Sequence, residues 1–332
     1  MYVLYGALAS SYSMKMRALM RYRRIPHIWV SGSETREALA NVKAAVIPVL
    51  RFPDGRHAND STPLIHALEE AHLQRSVIPP DPAMSFLAHL IEDFADEWLT
   101  KAMFGYRWLE NVDQIQMSRW LAFDNLQGGG QAASQSAAEA FRARQVGRMA
   151  LVGCTRENFP LIEASTRAVL DILEAHVVDS FFLFGTRPSL AEFGLLGQLS
   201  QLATDPTPQA MMRADYPYTY RWLAQLDDLS GLEGTWTSEP SQAAIALARV
   251  AGEVYAPFLA ANAAAIEDGD DSFTIRAMGH ELAQGPFKYQ AKCLTELRRR
   301  YDALGASDRA RADDWIGEHW TGLLATTAKP SP

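Results

Sequence analysis

The spacing of hydrophobic and polar positions changes character near residue 76. Before it, short apolar runs alternate with segments of helical period. Residues 2–5 read as a strand, 12–23 as a helix, 27–30 as a strand, 34–42 as a short helix and 46–52 as a strand. Asp54-Gly55 is a hairpin-type turn, 56–58 a short strand and 61–71 a helix. This order, βαβ followed by ββα, predicts a small sheet with helices on both faces. The stretch 76–82, with Pro79, Pro80 and Pro82, breaks the pattern and predicts an interdomain linker. Beyond it the helical period dominates, over 83–111, 135–151, 159–178, 190–203, 216–229, 242–264, 288–304 and 307–324, and the second part reads as all-helical. Residues 127–136 have the makeup of a flexible loop, and 267–271 of an acidic turn.

Composition narrows the class. A chain of 332 residues, 48% hydrophobic and 21% charged, can bury a core and divides into two or three domains. Its net charge is −8, and the basic clusters at 21–24 and 298–300 are short and lie within helical segments, which argues against a nucleic-acid partner. No apolar run approaches the roughly 20 residues that span a bilayer, and the first residues lack the basic-then-apolar order of a secretion leader. The expectation is a cytoplasmic protein without a membrane partner. Cys154 and Cys293 form neither a Cys-x-x-Cys pair nor a metal-ligand cluster, so reduced packing thiols and no metal are expected.

Four local features carry the chemistry. Ala9-Ser10-Ser11-Tyr12-Ser13 sits at a strand-to-helix turn, where free N–H groups and a partial positive charge favour an anion such as a thiolate. A serine there either caps the helix, worth about 1 kcal/mol, or donates to bound sulfur. Val46-Ile47-Pro48-Val49-Leu50 places a proline inside a strand pattern; a cis Ile47-Pro48 bond is one way to fit it, and it would turn the backbone of Ile47 toward a peptide-like ligand. Asn59-Asp60-Ser61-Thr62-Pro63 opens a helix. Capping accounts for it, and so does an α-amino acid with its ammonium on Asp60 and its carboxylate near Ser61. Ser189 and Glu192 form a capping box before an apolar helix face.

In this order the four features resemble the glutathione transferase superfamily. The segment 4–19 is similar to the first strand and helix of its serine-type classes, with Tyr12 standing where zeta enzymes carry cysteine. The resemblance implies a thioredoxin-like α/β domain over 1–75, a linker at 76–84, an all-helical domain over 85–235 and an extra helical extension over 236–332. It implies glutathione as co-substrate, with Ser10 activating the thiol and Ser11 as its fallback. Tyr12, Ile47 and Pro48 would bind the tripeptide, Ile47 by its backbone, while Asp60 and Ser61 hold the γ-glutamyl end. By analogy, Phe104, Tyr106 and Trp108, in the crowded aromatic run of the first long helix, would line a pocket for an apolar electrophile, and the assembly would be a homodimer. Three features depart from the pattern: Val46 at a position often lysine or glutamine, the insertion between Asn111 and Glu157, and the long tail. An enzyme and a non-catalytic interaction module on the same scaffold are both open at this level.

Overall fold

The computed structural model describes residues 1–325. Strands β1 (Tyr2–Tyr5), β2 (His27–Val30), β3 (Val49–Arg51) and β4 (His57–Asn59) form one sheet in the order β2-β1-β3-β4. The β1–β2 pair is parallel, and β1–β3 and β3–β4 are antiparallel. Helices α1 (Ser11–Tyr22), α2 (Thr35–Leu39) and α3 (Ser61–Ala71) complete the thioredoxin-like domain. The strand expected over 46–52 begins only at Val49, because the Ile47-Pro48 bond, which is cis, precedes it and proline cannot donate to the ladder. The helix expected over 34–42 shrinks to α2, preceded by a 3-10 turn at Gly32–Glu34.

The helical domain begins at α4 (Pro82–Phe94), capped by Asp81, and runs through a π turn at Ala95–Leu99 into α5 (Thr100–Leu109). Helices α6 (Asn111–Leu126) and α7 (Gln131–Val146) pack on one another and account for most of the insertion; the expected loop over 127–136 is confined to its glycines. Then follow α8 (Phe159–Val177), α9 (Leu190–Leu202), α10 (Pro206–Asp215) and α11 (Pro217–Leu226). The Ser189/Glu192 capping box forms as expected. Helix α9 is buried almost all round and packs on α1 and α4. Its Gly197 makes that approach possible, since a Cβ there would stand 2.9 Å from the Ser11 carbonyl oxygen.

The remainder departs from an all-helical reading. Helix α12 (Gln242–Asp268) is followed by a hairpin of β5 (Phe273–Ala277) and β6 (His280–Gln284), then α13 (Lys288–Asp302), α14 (Ala306–Ile316) and α15 (Glu318–Leu324). The hairpin alternates: Phe273, Ile275 and Leu282 are buried while Thr274, Arg276 and Glu281 face out, and Met278 and Gly279 close it with positive φ at both turn positions. The single helix expected over 307–324 is interrupted at Gly317. Helix α12 is long and apolar enough, by length and composition, to cross a membrane, which the sequence reading did not anticipate. It serves here as a core helix, 61% buried over its most apolar window and packed against α4, α8, α13, α14 and α15. Leu294, Leu297 and Tyr301 of α13, with Leu304 just after it, are buried as well. The end of the extension, residues 326–332, lies outside the described residues.

Candidate functional site

Sheet register brings the sequence features together. Tyr5 pairs with Val49, and Val49 pairs with Asn59, so the end of β1, the start of β3 and the end of β4 share one edge of the sheet. The turn through Ser10, the Ile47-Pro48 bond and the start of α3 at Asp60-Ser61 therefore lie at the same end. Asn59 fastens two of them, its Nδ2 donating to the carbonyls of Ala44 at 2.6 Å and Val46 at 3.3 Å.

Ser10 is the N-cap of α1: its Oγ accepts from the Ser13 amide at 3.3 Å. That bond uses a lone pair and leaves the hydroxyl proton free to donate. Ser11 is the first helical residue and is buried under α9. The turn is held from the helical domain. Arg107 of α5 donates to the Ala9 carbonyl at 3.0 Å, and Gln201 of α9 donates to that of Leu8 at 3.1 Å. Arg107 is itself buried, paired with Asp205 at 2.8 Å and with the Gln201 side-chain oxygen at 3.0 Å.

Tyr12 does not face the sheet edge. It lies in the domain interface, where its hydroxyl donates to the Asp96 carbonyl at 2.9 Å. Asp60 occupies the cap position of α3 with φ 78° and ψ 110°, a positive-φ conformation that residues other than glycine rarely adopt. Its Oδ2 accepts from Tyr289 of α13 at 3.0 Å. Ser61 is buried, and its Oγ donates to Asp96 Oδ2 at 3.4 Å.

Beneath these groups lies an ion network that the sequence reading did not name. Lys15 of α1 is fully buried and pairs with Glu92 of α4 and, at 2.6 Å, with Asp96 of the π turn. Burial works against the Lys15 charge, but Asp96 and Glu92 overcome it and hold the ammonium above its ordinary range. Glu92 also accepts from Thr62 of α3 at 2.5 Å. Further along the same helical run, burial and the Glu92 charge raise Asp93 to about 7, and its Oδ2 accepts from Tyr255 of α12 at 2.8 Å. Burial, then Asp93, Asp96 and Asp60, push Glu97 well above the carboxylate range. Among the described residues no group of three or more His, Cys, Asp or Glu side chains is placed to hold a metal ion.

The three aromatics of α5 have different surroundings. Trp108 is a core side chain with its ring tilted against Phe141, Tyr106 packs edge-on against Phe159 with its hydroxyl on Glu163, and Phe104 lies beside Trp108. The face of α5 that reaches the opening turn is that of Arg107.

The thioredoxin-like domain docks on the helical bundle, with a capped serine turn, a cis-proline and an acidic helix start at one end of its sheet. Two family models match the chain: the glutathione S-transferase N-terminal domain over residues 4–76 and the C-terminal domain over 137–225. The chain belongs to the glutathione transferase superfamily. Similar solved structures include a glutathione S-transferase from Methylobacterium radiotolerans in complex with glutathione sulfonate, 20% identical, covering 73% of this chain and 98% of that one with a TM-score of 0.40. A glutathione S-transferase from Rhodospirillum rubrum F11 is 16% identical, with coverage of 74% and 99% and a TM-score of 0.42. The β-etherase from Sphingobium sp. strain SYK-6 is 17% identical, with coverage of 68% and 94% and a TM-score of 0.43. No curated protein matches the chain significantly.

Proposed function

We propose that this protein is a glutathione transferase that binds glutathione at the shared sheet edge and attacks an electrophile with its thiolate. The observation that carries this reading is the register that places Ser10, Ile47-Pro48 and Asp60-Ser61 at one end of the sheet. The free N–H groups and dipole of α1, with the Ser10 hydroxyl as donor, would lower the thiol from about 8.5 toward neutrality. The thiolate then forms a bond to the electrophilic atom as the leaving group departs, or adds to it without one. Ile47 offers its backbone to the cysteinyl unit, the Ser61 amide and the other first amides of α3 take the γ-glutamyl carboxylate, and Asp60 takes the ammonium. Ser10 is the better candidate than Ser11, which is buried under α9.

The second substrate would approach from the helical side.

Steady-state kinetics with glutathione and a standard electrophile test the reading. Ser10→Ala is expected to lower kcat/KM about a hundredfold, the scale of one lost charge-stabilising donor, while glutathione affinity changes only a few-fold. Full activity in that variant would remove Ser10 from the mechanism, and no glutathione binding by the wild type at millimolar concentration would remove the function.

A further inference from the structure

We propose that Tyr289, carried by the extension on α13, is a positioning residue of the glutathione site that acts through Asp60, holding its carboxylate to receive the γ-glutamyl ammonium. The inference rests on the glutathione reading above.

The placement of Tyr289 is built from both sides. Asn262 of α12, fully buried, clamps the residue that caps α13: its Oδ1 accepts from the Phe287 amide at 2.7 Å, and its Nδ2 donates to the Phe287 carbonyl at 3.1 Å. A buried amide with donor and acceptor both committed to one residue fixes the backbone two positions ahead of Tyr289. Farther along α13, Arg300 donates to His66 Nε2 at 2.8 Å, and His66 lies on α3, the helix that Asp60 opens. The first turn of α13 is thus held over the start of α3.

Burial does not explain where the Tyr289 side chain goes. The residue is 43% exposed, yet its hydroxyl is directed to Asp60 Oδ2 at 3.0 Å, a charge-assisted bond that fixes one carboxylate oxygen. The backbone of Asp60 is already held at φ 78°, so both its main chain and its side chain are set before a ligand arrives.

The groups that act on Asp60 come from four elements: Lys15 of α1, Glu92 of α4, Asp96 and Glu97 of the π turn, and Tyr289 of α13. Burial raises the Asp60 carboxyl; the Tyr289 hydroxyl and Lys15 pull it down, and Glu92 pushes it up. Only the carboxylate attracts an ammonium, so glutathione binding is lost as pH falls through the Asp60 value. Removing the Tyr289 donor raises that value and moves the acid limb of binding to higher pH.

Calorimetric titration with glutathione across the acid range, on wild type, Tyr289→Phe, Asp60→Asn and the double variant, tests this. Tyr289→Phe keeps the ring and is expected to weaken binding about tenfold, shift the acid limb upward and leave kcat at saturating glutathione near that of wild type. Adding it to Asp60→Asn should change affinity little, because Tyr289 acts through Asp60. Wild-type affinity and an unmoved pH profile in Tyr289→Phe would overturn the inference alone. Tighter binding would overturn it too, by showing that Tyr289 blocks the site, and absence of binding by the wild type would overturn it together with the glutathione reading.

Discussion

Lys15 puts an ammonium where no water reaches, and it is tolerated only because Glu92 and Asp96 stand beside it. Removing one side of such a network strands the other. Lys15→Met is expected to cost about 3–5 kcal/mol, read as a lower denaturant midpoint, and adding Glu92→Gln and Asp96→Asn should recover much of that loss. A midpoint unchanged in Lys15→Met would show that the network does not hold the two domains together. The network also explains what the sequence hid. Ser10, Asp60 and Ser61 were legible because each lies in a short motif at an element boundary, where the local backbone dictates what the side chain can do. Lys15, Arg107, Gln201 and Tyr289 were not, since their partners lie 77 to 229 residues away or in the other domain. One sign was available: Lys15 shares its face of α1 with Ser11, Ala18, Leu19 and Tyr22, a buried stripe in which a lysine needs a partner. On α5 an aromatic run at helical spacing is a weaker guide, because packing and pocket lining leave the same pattern in sequence; Trp108 and Tyr106 are buried.

At the level of elements, propensity and period gave the thioredoxin-like half nearly whole, and where they failed a stronger local rule intervened. The cis Ile47-Pro48 bond delays β3, and Gly317 divides the last helical segment. Helix α6 was hidden by its weak amphipathicity: it presents Val112, Trp120 and Phe123 to solvent, which blurs the apolar stripe that marks a surface helix. The β5–β6 hairpin was hidden by brevity, being two five-residue strands after a long helix, although its alternation and its Met278-Gly279 turn are both in the sequence. The extension is anchored through α15. Trp320 is fully buried, donates to the Ala248 carbonyl of α12 at 3.0 Å and packs edge-on against Tyr255. Trp320→Ala is expected to destabilise the fold by about 3–5 kcal/mol and to open the segment after α12 to limited proteolysis while the N-terminal domain stays protected. An unchanged proteolytic pattern would mean that α13 and α14 hold without α15.

Across the whole molecule, the extension changes what the superfamily scaffold presents. Helix α12 fills the core of the helical domain, and α13 crosses to the thioredoxin-like domain, where Tyr289 touches Asp60 at the start of α3 and Arg300 touches His66 near its middle. The site is therefore assembled from three parts of the chain: the opening turn and sheet edge, the α4–π–α5 run with α9 behind it, and the first turn of α13. Each fixes a different group, respectively the Ser10 donor, the Leu8 and Ala9 carbonyls with the Lys15 network, and the Asp60 carboxylate. In the proposed function this preorganisation serves to stabilise a charge at the turn. The most direct test is an ultraviolet titration of the thiolate of glutathione bound to the wild-type protein, with Ser10→Ala beside it. The account predicts a bound thiol that ionises near neutrality, well below the free value of about 8.5, and a return toward that value in Ser10→Ala. A bound thiol that ionises at the same pH as free glutathione would contradict it.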